Sequence, residues 1–397
     1  MSHFSSISEA PADSIFGLNA AFLQDPRKNK TNLGIGVYKT EDLQTPILSC
    51  VKHAEKDLLE KELSKNYLSV EGDSHYLELV SRLVLGDSLY EENFNRLTSL
   101  QTIGGSGALR LGAGFLSKEK QRTIYIPNPS WPNHNGIFLE SGLRVETYPY
   151  YDEKNNRLIF DKMIDFLSNL PLESIILLHV NCHNPSGADL DKKDWEALAS
   201  LCAEKRLIPF FDAAYLGFDQ SVELDSYPIR LFMEKQVEFL LALSFSKNFS
   251  LYAERVGALF LFSEELFSKN ILSQCKQIAR RNYSNPPLHG AKIVSKVLES
   301  SFLRKLWEEE LLQMRQRIFE MRNNFVVSLS IEGSKKDYSY LLEKKGLFSF
   351  SGLLPSQVER LKEKYAIYVT SDGRINLAGL NQKSLPFVAQ AIVAVGG

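Results

Sequence analysis

The sequence predicts an α/β protein, a mainly parallel sheet covered by helices and joined to a smaller α+β lobe. Three observations predict it. At 397 residues the chain exceeds what one hydrophobic core usually organises. From about Gln101 to Phe262, short apolar runs bounded by turn residues alternate with amphipathic helical stretches. After Pro287 the apolar period lengthens to that of a helix. The strand candidates in order are residues 123–126, 174–180, 207–211, 239–245 and 256–262, each too apolar to be half-exposed, as expected of parallel strands covered on both faces. Trp307, Leu311, Met314, Ile318 and Phe325 recur at helical spacing and predict one long helix near the junction of two lobes. Residues 347–350, 367–369 and 375–377 are three further short strand candidates, and a final helix begins at about Gln382.

Composition excludes several classes. Hydrophobic residues at 44% and charged residues at 24% describe an ordinary globular chain, neither disordered nor membrane-embedded. Lys+Arg 46 against Asp+Glu 48 leaves no basic field, so nucleic acid is not an expected partner. Cys50, Cys182, Cys202 and Cys275 are scattered and form no C-x-x-C pair, which fits reduced thiols. The first residues show no basic segment followed by an apolar one, and no apolar run reaches spanning length, so a cytoplasmic protein is expected, with no membrane partner.

Open α/β sheets place ligands at the carboxyl ends of their strands, so polar residues that follow apolar runs are the site candidates. Gly104-Gly105-Ser106-Gly107 precedes a helical stretch and offers free N–H groups for a phosphate, although a glycine-rich turn alone is more often only a turn. Asp212 ends a buried strand, with Tyr215 three residues on; a capping role is the plainer alternative. Asn184 to Gly187 closes another strand in a turn, and His179, Cys182 and His183 nearby lack the second cluster a metal would require. Lys247 follows a very apolar run, where desolvation lowers an amine's pKa and frees it to attack an aldehyde; a snorkelling lysine is the alternative. Arg255 adds a cation that could face the glycine-rich turn.

Together these motifs resemble one family, the class I aminotransferases of pyridoxal-phosphate (PLP) fold type I, in their aspartate and aromatic amino acid branch. The resemblance runs through residues 32–39, 65–68, 101–110, 130–134, 183–187, 244–257, 282–287 and 373–376. It implies a large domain, 46–313, with a mainly parallel seven-stranded sheet between helices. It also implies a small C-terminal domain, 314–397, and an N-terminal arm, 1–45, that contributes to it. The implied cofactor is PLP, held by Lys247 as a Schiff base, with Lys247 also acting as base and acid in turn. Asp212 would pair with the pyridine nitrogen; Tyr215 and Asn184 would hydrogen-bond the phenolic oxygen; Trp131 would stack on the ring, with His134 behind Asp212. Gly105, Ser106, Ser244 and Arg255 would hold the phosphate, joined by Tyr67 from a neighbouring subunit, which implies a homodimer with shared active sites. Arg374 would grip the substrate α-carboxylate, with Gly36 closing over it, and Arg280 would bind a distal carboxylate from the other subunit. Arg281, its neighbour, points elsewhere on a regular element.

The implied reaction moves the amino group of L-aspartate, and of aromatic amino acids, to 2-oxoglutarate by a ping-pong mechanism, with Ile15, Val37 and Phe350 shaping the pocket. The alternatives are a PLP lyase or decarboxylase on the same fold, and a non-catalytic binding protein that would have no need for Lys247, Asp212, Tyr215 and Arg374 together. Ser250 stands where the family commonly has glycine, Ser186 where threonine is common, Asn181 and Ala213 depart from their motifs' usual neighbours, and residues 333–343 look least like the family.

Overall fold

A computed structural model describes residues 3–9, 15–118 and 122–397. Of the expected N-terminal arm, residues 1, 2 and 10–14 lie outside the described residues. Seven strands form one sheet: β1 (Leu97–Ile103), β2 (Thr123–Asn128), β3 (Arg144–Pro149), β4 (Ile175–His179), β5 (Ile208–Ala213), β6 (Phe239–Ser244) and β7 (Val256–Phe262). Their order is β1-β7-β6-β5-β4-β2-β3. The pairs from β6 through to β3 are parallel, and β7 runs antiparallel to both its neighbours. The apolar runs alternate between two cores: Ile176, Leu178, Phe211 and Leu241 face one, while Ile175, Leu177, Phe210 and Leu240 face the other. Burial on both faces is why these strands read as continuous apolar runs.

The chain reversal at β7 positions the site. Val256 pairs with Ile103 and Gly257 with Ser244, so the amino end of β7 sits beside the carboxyl ends of β1 and β6. Gly257 has no room for a side chain there, since a Cβ would meet Gly104 C and Leu243 O, each at 2.6 Å. Helix α1 (Gly104–Leu116) begins at the same edge, and its first turn has no side-chain cap.

Helix α3 (Ser301–Ile331) is the long helix predicted from the stripe, capped by Ser300 Oγ, which accepts from Leu303 N. Its two halves serve different clusters. Trp307, Leu311, Met314 and Ile318 pack into the large core, whereas Met321, Phe325 and Leu329 join Leu33 and residues from Tyr338 to Val395. In the second cluster Phe348–Phe350 pairs antiparallel with Arg374–Asn376, and Thr31–Asn32 pairs parallel with Ile367–Tyr368. Trp307 is fully buried, stacks on Phe249 at 4.4 Å, and donates from Nε1 to Asn248 O at 2.7 Å, next to Lys247. Truncation to alanine is expected to cost about 3–5 kcal/mol, measurable by denaturant unfolding of the holoenzyme. No helix among the described residues is long and apolar enough to cross a membrane.

Candidate active site

The carboxyl edge of the sheet gathers the polar strand ends. Asp212 lies in register between His179 of β4 and Ala242 of β6. Its Oδ2 accepts from His134 Nε2 at 2.9 Å, and His134 Nδ1 in turn meets Ser130 Oγ at 2.8 Å, which fixes the imidazole with its Nε2 proton towards the carboxylate. Among the described residues Asp212 Oδ1 has no hydrogen bond. Burial pushes the Asp212 carboxyl up, but the His134 hydrogen bond and the charges of His134, His179 and Lys247 overcome it and hold it below the usual carboxylate range. Burial, with the charge of His134 adding to it and that of Asp212 opposing it, pushes His179 down to about 3. Among the described residues no His, Cys, Asp and Glu side chains group as a metal site, and His183 stacks on Tyr150 at 4.1 Å with Nδ1 on Ser186 Oγ.

Lys247 follows β6 and stands over Tyr215, its Nζ 4.8 Å from the ring centroid. Among the described residues its amine has neither a hydrogen bond nor an ion pair. Burial lowers its pKa, Asp212 opposes that shift, and Arg255 adds to it. Asp212 and Lys247 thus share one electrostatic environment. Burial also pushes the Tyr215 hydroxyl well up, so it remains a proton donor.

The turn that opens α1 meets Arg255 directly. A Cβ on Gly104 would lie 2.6 Å from Arg255 Nη2, and one on Gly105 would lie 3.0 Å from Ser244 Cβ. Arg255 itself holds a left-handed φ of 55° and donates to Tyr252 O at 3.1 Å and to Ser246 Oγ at 3.4 Å. Ser246 Oγ also accepts from Ser244 Oγ at 3.2 Å, while Ser106 Oγ makes no hydrogen bond among the described residues. Uncapped N–H groups at the start of α1, the hydroxyls of Ser106, Ser244 and Ser246, and the Arg255 guanidinium lie at one edge of the sheet, a donor set suited to a phosphate dianion. Ser246 has no role in the sequence reading; its place two residues after Ser244, in the turn that follows β6, is the signal that could have found it.

Arg374, on the small-lobe strand, is 2% exposed. It donates from Nη1 to Asn184 Oδ1 at 3.2 Å and from Nη2 to Gly34 O at 2.7 Å, and its guanidinium lies 4.3 Å above the Phe348 ring. Its Nε is buried without a partner among the described residues. Gly36 lies over the same ring, where a Cβ would come within 3.1 Å of Phe348 Cζ. Trp131 stands edge-on to His134 at 5.1 Å. Residues 333–343 reach this lobe through Tyr340, whose hydroxyl donates to Phe350 O at 3.0 Å. Ser250 adopts a φ of 53°, a conformation glycine takes freely, and anchors its Oγ on Pro46 O at 2.6 Å.

Three predicted residues stand apart within the single chain. Tyr67 is 93% exposed, and Arg280 and Arg281 are exposed near the end of α2 (Glu265–Asn282), Arg280 bonded to Ser284 and Arg281 to Gln277. Asn285 Nδ2 donates to Leu68 O at 2.9 Å, so the segments that carry Tyr67 and Arg280 adjoin on one outer face.

A family model described as aminotransferase class I and II matches residues 28–392. The aspartate aminotransferase of Escherichia coli (strain K12) is 44% identical over 394 residues, covering 99% of this chain and 100% of that one. That of Pseudomonas aeruginosa is 44% identical over 397 residues, covering 100% of both. Among solved structures, the aromatic-amino-acid aminotransferase from Burkholderia pseudomallei, covalently bound to pyridoxal phosphate, superposes with a TM-score of 0.96 at 44% identity over 100% of both chains. The cytoplasmic aspartate aminotransferase of Saccharomyces cerevisiae superposes with a TM-score of 0.96 at 34% identity, over 99% of this chain and 98% of that one.

Proposed function

Because this chain belongs to the class I and II aminotransferases, we propose that it moves the amino group of L-aspartate, and of aromatic amino acids, to 2-oxoglutarate in two half-reactions on one site. It is a PLP-dependent aminotransferase, and PLP, when bound, supplies an electron-accepting ring for the charge left at the substrate Cα. The observation that carries the site assignment is the pair of Asp212 and Lys247 at the ends of adjacent strands, one carboxylate oxygen and one amine without a hydrogen bond among the described residues and each under the other's field.

In this reading Lys247 Nζ would hold the cofactor covalently and, once the substrate's amine has displaced it there, would be free to take the Cα proton and give it back; its lowered pKa favours the free amine. Asp212 Oδ1 keeps a proton on the ring nitrogen, and His134, itself set by Ser130, orients Asp212. The Tyr215 hydroxyl and the amide of Asn184 donate to the phenolic oxygen, and Trp131 covers the ring face. Gly105 and Ser106 at the start of α1, with Ser244, Ser246 and Arg255, take the phosphate. Arg374 offers a planar fork to the substrate α-carboxylate, exchanging its bonds to Asn184 and Gly34 for it in part, and Gly36 closes the site with its backbone.

The exposed face that bears Tyr67 and Arg280 is read as the homodimer face, Tyr67 reaching the partner's phosphate and Arg280 the distal carboxylate of its substrate. The four buried free thiols fit a cytoplasmic setting. L-aspartate mixed with holoenzyme alone should release one oxaloacetate per site; ammonia or carbon dioxide instead would overturn transamination. Arg280→Ala should lower kcat/KM for aspartate roughly 100-fold or more, the cost of stripping one partner from a buried charge pair, and change phenylalanine less than about fivefold. Equal losses on both substrates would mean that the specificity arginine lies elsewhere.

A further inference from the structure

The segment after β5, from Tyr215 to Gln220, is held almost entirely by side chains from other elements. Tyr215 O accepts from Asn181 Nδ2 at 3.0 Å, Leu216 O from Asn248 Nδ2 at 3.1 Å, and Gly217 O from Arg315 Nη1 at 2.6 Å. The amides of the same segment converge on one carboxylate. Asp225 Oδ2 accepts from Gly217 N at 2.7 Å and Asp219 N at 3.2 Å, and its Oδ1 accepts from Gln220 N at 3.0 Å. Oδ2 also accepts from Asn181 Nδ2 at 2.8 Å, the nitrogen that holds Tyr215 O. Asn181 therefore spends its two amide protons as a clip between Asp225 and the Tyr215 backbone, while its Oδ1 is buried without a partner among the described residues. Asp225 is 5% exposed and Asn181 6%. Gly217 passes through a φ of 90° against Leu311, where a Cβ would lie 2.3 Å from Cδ2, so the segment is packed as tightly as it is bonded.

We infer that Asp225, acting through Asn181 and the Gly217 to Gln220 amides, is a positioning residue that sets the Tyr215 hydroxyl for its hydrogen bond to the cofactor. The inference rests on the role given to Tyr215 under the proposed function. Burial pushes the Asp225 carboxyl up to about 6, so above that pH it is a charged acceptor, which suits this task because bonds to an ionised group are shorter and stronger than neutral ones and four donors leave little freedom to rotate. The phenolic ring of Tyr215 is anchored at one end by its own backbone, so a shift of that backbone by a fraction of an ångström moves the hydroxyl off its target.

The test uses holoenzyme, in which the visible absorbance of bound PLP changes with pH. A hydroxyl donating to the phenolic oxygen stabilises its anion, so Tyr215→Phe should raise the pH midpoint of that change by about one unit. Asp225→Asn puts an amide among donors; it should raise the midpoint by at least about half as much, lower kcat more than it alters KM, and add nothing further in the Tyr215→Phe background. A folded, PLP-loaded Asp225→Asn with an unshifted midpoint overturns the inference, as does a full additive shift in the double variant. If Asp225→Asn does not accumulate as folded holoenzyme, Asn181→Leu, which removes the clip alone, decides by the same midpoint: a rise supports the inference and an unchanged value overturns it. An unshifted Tyr215→Phe would overturn the role of Tyr215 and this inference with it, whereas a shift there without one in Asp225→Asn overturns the inference alone.

Discussion

Lys247→Ala is expected to lower kcat by roughly four orders of magnitude or more, at and beyond the upper end of what losing a general base costs. Both of its functions reside on one nitrogen. On the proposed assignment the amine that anchors the cofactor is also the base; it stands over Tyr215, and among the described residues no carboxylate or hydroxyl hydrogen-bonds to it that could act in its place. PLP should nevertheless remain bound, because the first turn of α1, Ser244, Ser246 and Arg255 are untouched and, on the proposed assignment, would supply the charge-assisted contacts to phosphate. Borohydride should then no longer fix the cofactor to the chain, and a single-turnover mix with L-aspartate should show no oxaloacetate on the time scale of wild-type catalysis. A variant keeping more than about a tenth of wild-type turnover would place the proton transfer on another group.

Asp212→Ala should lower kcat by roughly 10²–10³-fold or more, the range seen when one preorganised electrostatic partner of the reacting system is removed. The carboxylate does two jobs: Oδ2 fixes His134, and Oδ1 is the oxygen that would face the ring nitrogen. Its depressed pKa gives the pH dependence a definite sign. A carboxyl held below its unfolded value contributes stability that is present above that value and lost as pH falls through the folded one, so the Asp212 contribution is complete at neutral pH and disappears only in acid. The activity lost in Asp212→Asn should therefore not return anywhere between about pH 6 and pH 9, a range in which the native carboxylate stays ionised. Recovery of wild-type kcat at the acid end of a pH-rate profile would contradict this placement of charge.

Much of the architecture was legible because the strands are buried on both faces. The run from Val256 to Phe262 is apolar throughout and is a strand along its whole length, and the Trp307 to Phe325 stripe is one helix. The same uniformity hid the direction of β7. Strands without polar alternation give no sign of which neighbour they pair with or which way they run, so the antiparallel insertion between β1 and β6 could not be read. Within the site, Lys247, Asp212 and Tyr215 are legible because charged or phenolic groups follow apolar strands, whereas Arg374 is implied only by the family resemblance. Asp225 is not legible, since in sequence it is one more acid after Glu223 with no apolar strand before it, and only folding turns it inward to Gly217. In sequence Asn181 is a neutral departure from its motif; in the fold its amide joins Asp225 to Tyr215. Tyr67 and Arg280 face outward, and a single chain holds no partner that would give their exposure a purpose.

The reversed strand β7 also dictates when the protein can acquire its cofactor. The helix terminus at Gly104 and the guanidinium of Arg255 come together only through the β1–β7 pairing of residues far apart in sequence, so closing that long loop precedes any anion capture. A growing polypeptide still on the ribosome has one half of the phosphate grip long before the other emerges. On the proposed assignment, loading waits until the sheet is finished, so uptake of the cofactor would report that the central sheet has been completed.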